Sequence, residues 1–224
     1  MSNKILIISV HPDDETLGCG GTILKHVKSK DEVFWLILTN INDEQVWGKE
    51  RIKQRQLEIE KVAAVFFFKK TIRLNFDTTQ IDQLPIDKLT EEISQVIKET
   101  RPEIIYLHNR SDVHSDHRIS FDAIISATKS FNHPYIKKVL MYETISETEF
   151  APALQGNAFI PNYFVDISDF IDKKNEIMKV YQSELKEHPF PRNERNIRAL
   201  ATFRGAQCGV DSAEGFMILK EIWK

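Results

Sequence analysis

Apolar residues fall along this chain in short unbroken runs separated by longer stretches of mixed character. The first run, Ile5 to Val10, stops on His11-Pro12-Asp13-Asp14-Glu15. A run of that length, rich in β-branched residues and closed by proline, reads as a strand buried on both faces of a parallel sheet. The same pattern predicts strands over Glu32–Thr39, Thr71–Phe76, Glu103–His108 and Lys138–Glu143. Between them the spacing predicts a helix that begins near Gly18–Gly21 and passes through Val27, and a second from about Lys49 to Val65. Pro85 opens a third helix, to about Thr100, as proline in a first turn often does. A fourth covers Ile119 to Ser130. Strands alternating with helices over the first 143 residues predict an α/β fold, one domain over residues 1–224 with a mostly parallel, Rossmann-like sheet flanked by helices.

Beyond that point the pattern loosens. Thr144–Pro161 is irregular and is a candidate substrate-covering loop, and Phe164–Ile167 is short and strand-like. Ile171–Leu185 reads as an amphipathic helix, His188-Pro189-Phe190-Pro191 breaks it, and a last helix runs from Asn193 to about Phe203. A length of 224 residues suits one domain with a core and is short for two. A net charge of −3 gives no reason to attract nucleic acid or an anionic membrane. No apolar run approaches the roughly 20 residues of a membrane span. Met1-Ser2-Asn3-Lys4 leads into the first strand without the regions of a signal peptide, and Cys19 and Cys208 make neither a disulfide framework nor a zinc motif. A cytoplasmic protein is the plain expectation.

The chemistry gathers where the strands end. Ligands of open parallel sheets lie beyond the carboxyl ends of strands, and His11, Asp13 and Asp14 follow the first strand directly. Pro12 stiffens that loop, and two adjacent carboxylates repel each other in a way that a dication relieves. A second cluster, His114-Ser115-Asp116-His117, follows the fourth strand. Imidazoles three residues apart at a helix start can face one cavity. A mixed set of three histidine and aspartate ligands with one position left for water is how a catalytic zinc site is built, and ferrous iron suits the same donors. Gly18, Gly20 and Gly21 invite a dinucleotide reading, but their spacing is not G-x-G-x-x-G and acids precede them. Arg55 and Glu58 share a helix face, either as a surface pair or as part of a site, and Glu15 either supports a ligand imidazole or caps a helix.

These residues carry a resemblance. His11-Pro12-Asp13-Asp14-Glu15 with Gly18-Cys19-Gly20-Gly21-Thr22 resembles the first motif of the PIG-L/LmbE-like de-N-acetylase family, and His114-Ser115-Asp116-His117-Arg118 resembles its second. Arg55 with Glu58, Asp77 after Leu74-Asn75-Phe76, Arg101-Pro102-Glu103-Ile104, and Arg204-Gly205 with Ala213-Glu214-Gly215-Phe216 extend the likeness over nearly the whole chain. Ser115 replaces a common proline, and Val65-Phe66-Phe67-Phe68 lacks the family's glycine.

The resemblance implies a zinc-dependent hydrolase that removes acetyl from an N-acetylglucosamine-type sugar: a small-molecule glycoside, a nucleotide sugar or a glycan intermediate. It implies His11, Asp14 and His117 as metal ligands and Asp13 as general base. His114 would stabilise the oxyanion and Asp116 would orient His114. Arg55, Asp77 and Tyr142 fall near positions that contact substrate in relatives. The metal would be Zn2+, with Fe2+ accommodated in the cell. The expected partner is a small N-acetyl sugar, with no nucleic acid and no membrane. Relatives include hexamers, which leaves a homo-oligomer open. Two other readings are an amidase of a thiol–sugar conjugate or O-deacylase using the same site, and a non-catalytic sugar-binding module. The module has no need of Asp13 and His114.

Overall fold

The computed structural model describes residues 2–223. In chain order the elements are β1 (Lys4–Ser9), α1 (Asp14–Lys28), β2 (Glu32–Asn40), α2 (Glu44–Trp47), α3 (Lys49–Val65), β3 (Lys70–Asp77), α4 (Ile86–Thr100) and β4 (Ile104–His108). They continue with α5 (Ser115–Ala127), β5 (Lys138–Tyr142), β6 (Tyr163–Asp166), α6 (Ile171–Met178), α7 (Glu194–Cys208) and β7 (Ala213–Glu221). One sheet of seven strands runs in the order β3-β2-β1-β4-β5-β7-β6. The first five are parallel, with Ile7 paired to Trp35 on one side and Tyr106 on the other.

Because strand residues alternate between faces, each run of apolar residues serves two cores at once. Ile5, Ile7, Trp35 and Tyr106 pack with Ile23, Ile59, Val62, Ile177 and Ile197 of α1, α3, α6 and α7. Leu6, Ile8, Leu36 and Ile105 pack with Ile93, Ile97 and Ile124 of α4 and α5. The chain leaves β1 towards β2 on one side and returns to β4 on the other, so the strand order reverses between β1 and β4. That reversal opens a crevice at the carboxyl ends of those two strands. Both histidine clusters emerge there.

Four departures from expectation bear on how the crevice is built. Helix α1 starts at Asp14, and the glycines sit inside it around a kink at Cys19 (φ −145°, ψ 24°). The kink frees backbone groups that the C-terminal strand recovers. Glu214 accepts from the N–H groups of Gly21 (2.9 Å) and Thr22 (2.8 Å), while Lys174 donates to the Leu17 carbonyl (2.8 Å) and pairs with Glu214 (2.7 Å). Helix α5 starts at Ser115 rather than Ile119, because the His114 side chain caps it. Helix α6 ends at Met178, well short of Leu185, and the following turns send Tyr181 and Glu184 towards the crevice. Strand β7 was not foreseen. Its opening Ala213-Glu214-Gly215 lacks strand character, and it is recruited by antiparallel pairing with β5 and β6 on both sides.

The glycines of α1 mark close packing. A Cβ on Gly18 would lie 2.1 Å from Cδ2 of Tyr142, and one on Gly21 would lie 2.6 Å from Cγ2 of Ile167. Tyr142 cannot step aside easily, because its hydroxyl donates to the Ile8 carbonyl at 2.8 Å. Gly18→Ala should therefore lower stability by ~3 kcal/mol, at the upper end of overpacking costs. Urea denaturation of the two proteins measures this, and an unchanged midpoint would contradict it.

Candidate metal centre

The loop after β1 is folded back on its own acid. Asp14 Oδ2 accepts from the backbone N–H groups of Val10 (3.0 Å) and His11 (2.8 Å). The same oxygen stands 3.4 Å from His117 Nε2, which in turn lies 3.2 Å from His11 Nδ1. Ligand atoms of His11, Asp14 and His117 all fall within 4.8 Å of one another. Donors on a tetrahedral ion bonded at about 2.0–2.2 Å are separated by roughly 3.4 Å, so the spacing is that of a coordination shell.

The other nitrogens of the two rings show why a cation suits this point. His117 Nδ1 is 2.8 Å from Asp112 Oδ2, and His11 Nε2 is 3.2 Å from Asp116 Oδ2. A carboxylate fixes the N–H on the nitrogen that it faces. The remaining nitrogens therefore point bare lone pairs at each other beside a carboxylate. Positive charge resolves that arrangement. Without an ion a proton supplies it. Burial opposes a charge on His117, but Asp14 and Asp112 outweigh it and hold this imidazole well above the usual histidine range. Burial would likewise raise Asp14, yet His117 and His11 hold its carboxyl well below the usual range.

A second grouping, His11 with His114 and Asp116, also brings three ligand atoms together. Its acceptors are already engaged. Asp116 receives the N–H groups of Thr79 (2.6 Å) and Ile81 (3.4 Å), and His114 Nδ1 receives that of Asp116 (3.1 Å). The first set is the better cage.

Asp13 stands beside this cage and outside it. Its backbone takes φ 140° and ψ −26°, a conformation L residues rarely adopt, and strain of this kind persists where surroundings impose it. Glu15 Oε2 accepts the Asp13 N–H (3.0 Å), and Glu15 is itself held by Thr16 and the Tyr181 hydroxyl. Among the described residues the hydrogen-bond partners of Glu15 are Ser9, Asp13, Thr16 and Tyr181, none of them an imidazole. Burial lifts its carboxyl to about 7 against the pull of those hydrogen bonds. The Asp13 carboxylate accepts from Arg192 at 2.7 Å. Burial pushes Asp13 well above the usual carboxylate range, with Arg192 opposing and Asp14 adding to the rise.

Other anticipated residues are placed differently. Asp116 serves His11, at 3.2 Å, rather than His114, whose Nδ1 is 3.9 Å away. His114 lies edge-on to His11 with ring centroids 4.5 Å apart, and burial and His11 push it down to about 4. Because its Nδ1 accepts a backbone N–H, the neutral ring carries its proton on Nε2. Arg55 is buried and donates to the Pro12 carbonyl (2.8 Å), to Ser183 and to Glu184, so it braces the loop that holds the acids. Tyr142 is fully buried, with its ring against Gly18. Asp77 is exposed at the end of β3 and accepts from Asn42 at 3.0 Å. Neither Asp77 nor Tyr142 lines the cavity of about 250 Å³ that contains His11, Asp13, Asp14, Arg55, His114 and Arg192.

Three residues of the site were not singled out from sequence. Asp112 orients His117 and also accepts from Asn109 and Thr148. Glu184 and Arg192 arrive from beyond α6, 179 positions after Asp13 in the case of Arg192. Asp112 was within reach of a sequence reading, lying five residues before a candidate ligand in the same polar loop. Nothing local marks Arg192. Asp112→Asn should weaken zinc binding by about 10–100-fold, the usual cost of losing such a partner. Competition with a chromophoric chelator reads this directly, and unchanged affinity would remove Asp112 from the metal's support.

Parallel strands that bring a histidine–aspartate group to the switch point make this an α/β protein with a candidate metal site. Comparison with known proteins agrees with it. The PIG-L family, described as GlcNAc-PI de-N-acetylase, matches residues 6–128. A diacetylchitobiose deacetylase of Thermococcus kodakarensis is 30% identical over 233 residues, which cover 98% of this chain and 84% of the relative. YaiS of Escherichia coli, described as an uncharacterized deacetylase, is 27% identical over 189 residues, covering 82% of this chain and 89% of the relative. A solved structure of N,N'-diacetylchitobiose deacetylase from Pyrococcus horikoshii superimposes with a TM-score of 0.76 at 25% identity, covering 98% of this chain and 84% of that one. The chain belongs to the PIG-L family.

Proposed function

We propose that this protein is a divalent-metal-dependent deacetylase that removes the acetyl group from the nitrogen of an N-acetylglucosamine-type sugar. One observation carries the reading. Two imidazole nitrogens and a carboxylate converge on one point, with a second carboxylate beside them that is not part of the set. The deacetylases among its relatives support the same activity, and that of Thermococcus kodakarensis acts on diacetylchitobiose. Among the described residues no helix is long and apolar enough to cross a membrane.

His11, Asp14 and His117 would hold the ion, and these donors accommodate zinc and ferrous iron alike. Bound there, it would lower the pKa of a water from about 16 to roughly 7 and polarise the acyl oxygen. The chain's own residues do the rest. Asp13 takes the proton of the attacking water and returns it to the departing amine nitrogen. That double duty needs a carboxylate close to the ion but unligated, which the strained turn at Asp13 supplies. Arg192 holds Asp13 in place and opposes the burial that would keep it protonated. His114 offers its Nε2–H to the oxygen that gains charge, a contribution of about 10²–10³ in rate. Asp116 fixes the tautomer and tilt of His11, and Arg55 holds the Pro12 carbonyl so that the acids stay in register.

The test is acetate release, followed by liquid chromatography, from diacetylchitobiose, N-acetylglucosamine and their conjugates by metal-loaded protein. Release should depend on the metal and stop with chelator. Fully loaded protein that frees no acetate from any of these sugars would refute the proposal.

A further inference from the structure

The crevice carries polar atoms that the fold leaves without partners. Asn40 Oδ1, Thr144 Oγ1, Glu147 Oε2 and Arg192 Nε are buried and make no hydrogen bond among the described residues. All four residues line the cavity that holds the histidine–aspartate cage. Asn40 is 6% exposed and Thr144 is 1% exposed, so solvent at the surface does not satisfy them. An unpaired buried polar atom costs about 1–3 kcal/mol, and native proteins retain few. Four on one cavity mark a place where a ligand completes the hydrogen bonding. They come from three separate segments: the end of β2, the turn after β5, and the loop before α7.

The ionic pairs of the same cavity say what kind of ligand. Arg51, Arg55 and Arg192 all line it, and each is already matched to a carboxylate. Arg51 lies 3.8 Å from Glu184, Arg55 donates to Glu184, and Arg192 pairs with Glu184 (3.1 Å) and Asp13 (2.7 Å). Asp13, Asp14, Glu147 and Glu184 line the cavity beside these three guanidinium groups, so its side chains offer no surplus of positive charge to a phosphate or carboxylate. The Asn40 and Glu147 oxygens accept hydrogen bonds, Thr144 can accept or donate, and Arg192 Nε–H donates. Neutral hydroxyl groups suit that inventory.

We propose that Asn40, Thr144 and Glu147, with the Nε–H of Arg192, form a hydroxyl-reading edge that selects an uncharged N-acetylhexosamine ring. This rests on the deacetylase reading and names the substrate's recognised face. A site built to hydrogen-bond a hydroxyl rejects analogues that lack it, because its own buried groups are then unpaired.

The test uses zinc-loaded protein carrying Asp13→Asn, so that binding is read without turnover. Calorimetry compares N-acetylglucosamine, its 3-, 4- and 6-deoxy analogues and its 6-phosphate, with and without Glu147→Gln or Thr144→Val. At least one deoxy analogue should bind about tenfold more weakly than the parent sugar. Glu147→Gln should cost the parent sugar about tenfold and leave the affinity of that analogue within about twofold. Thr144→Val should behave in the same way towards the hydroxyl it contacts, and the 6-phosphate should bind no more tightly than the parent. Zinc content and circular dichroism confirm that each variant is intact, and Thr144→Val stands alone should Glu147→Gln fail to fold.

The proposal is overturned if no N-acetyl sugar binds, if both substitutions leave parent affinity unchanged, or if substitution and deoxygenation losses multiply at every position. Tighter binding of the 6-phosphate also overturns it. Hydroxyl-dependent binding by a wild-type protein that releases no acetate would sink the deacetylase reading and leave this edge standing. Acetate release with no hydroxyl dependence would do the reverse.

Discussion

Asp13→Asn lowers the rate of acetate release by about 10²–10⁴ and leaves zinc content unchanged, the range expected for losing a general base. The separation of the two effects follows from geometry. Asp13 and Asp14 are adjacent in sequence, but the Asp14 carboxylate is folded onto the Val10 and His11 N–H groups and faces His117. The Asp13 carboxylate points instead to Arg192. Asparagine keeps an oxygen for Arg192 to bond, so the loop retains its shape while the proton acceptor is lost. Steady-state rates together with metal analysis decide the matter. Loss of zinc and activity together, or activity within about tenfold of wild type, would contradict Asp13 as the base.

Asp14→Asn has the opposite signature. The oxygen that it perturbs is shared by two backbone N–H groups and the histidine cage, so zinc affinity should fall by more than the 10–100-fold expected for an outer partner. Activity is then lost at limiting zinc and partly recovered at high zinc. The same site makes metal binding sensitive to pH. In the metal-free chain His117 holds a proton well above the usual histidine range, and a bound ion requires its bare nitrogen. Loading therefore releases a proton, and affinity should rise roughly tenfold per pH unit between about pH 6 and pH 8 for one proton displaced. Calorimetry in buffers of different ionisation enthalpy counts that proton. Zinc affinity that ignores pH would mean that His117 is not a ligand.

Much of this protein is written in local pattern. Strands β1, β2, β4 and β5 are continuous apolar runs because both faces of a parallel strand are covered, and a run of that kind can be read without its neighbours. The two histidine clusters are legible for a related reason. Each follows a strand directly, and parallel strands deliver their carboxyl ends to one edge. Helix starts were harder. Asp14 and Ser115 begin helices several residues ahead of the apolar periodicity, because the acids and histidines of the site occupy the first turns.

The remainder depends on contacts between distant segments. Glu214 and Lys174 repair the kink of α1, so the tail that resembles the family's C-terminal motif acts through the backbone at Gly21 and Thr22. The resemblance implied Asp116 as the residue that orients His114, whereas the tertiary fold sets its carboxylate 3.2 Å from His11, 105 positions away.

The sequence by itself determined the strand–helix alternation, the edge of the sheet where chemistry collects, and the two histidine–aspartate clusters that arrive there. Those features rest on periodicity and on chain direction, which are properties of neighbouring residues. The tertiary structure alone decided that β7 runs antiparallel between β5 and β6 and that Arg192 reaches Asp13. It also turned Tyr142 inward against Gly18 and left Asp77 outside the cavity. Side-chain direction at a strand's end is set by what packs against it, and that partner comes from elsewhere in the chain.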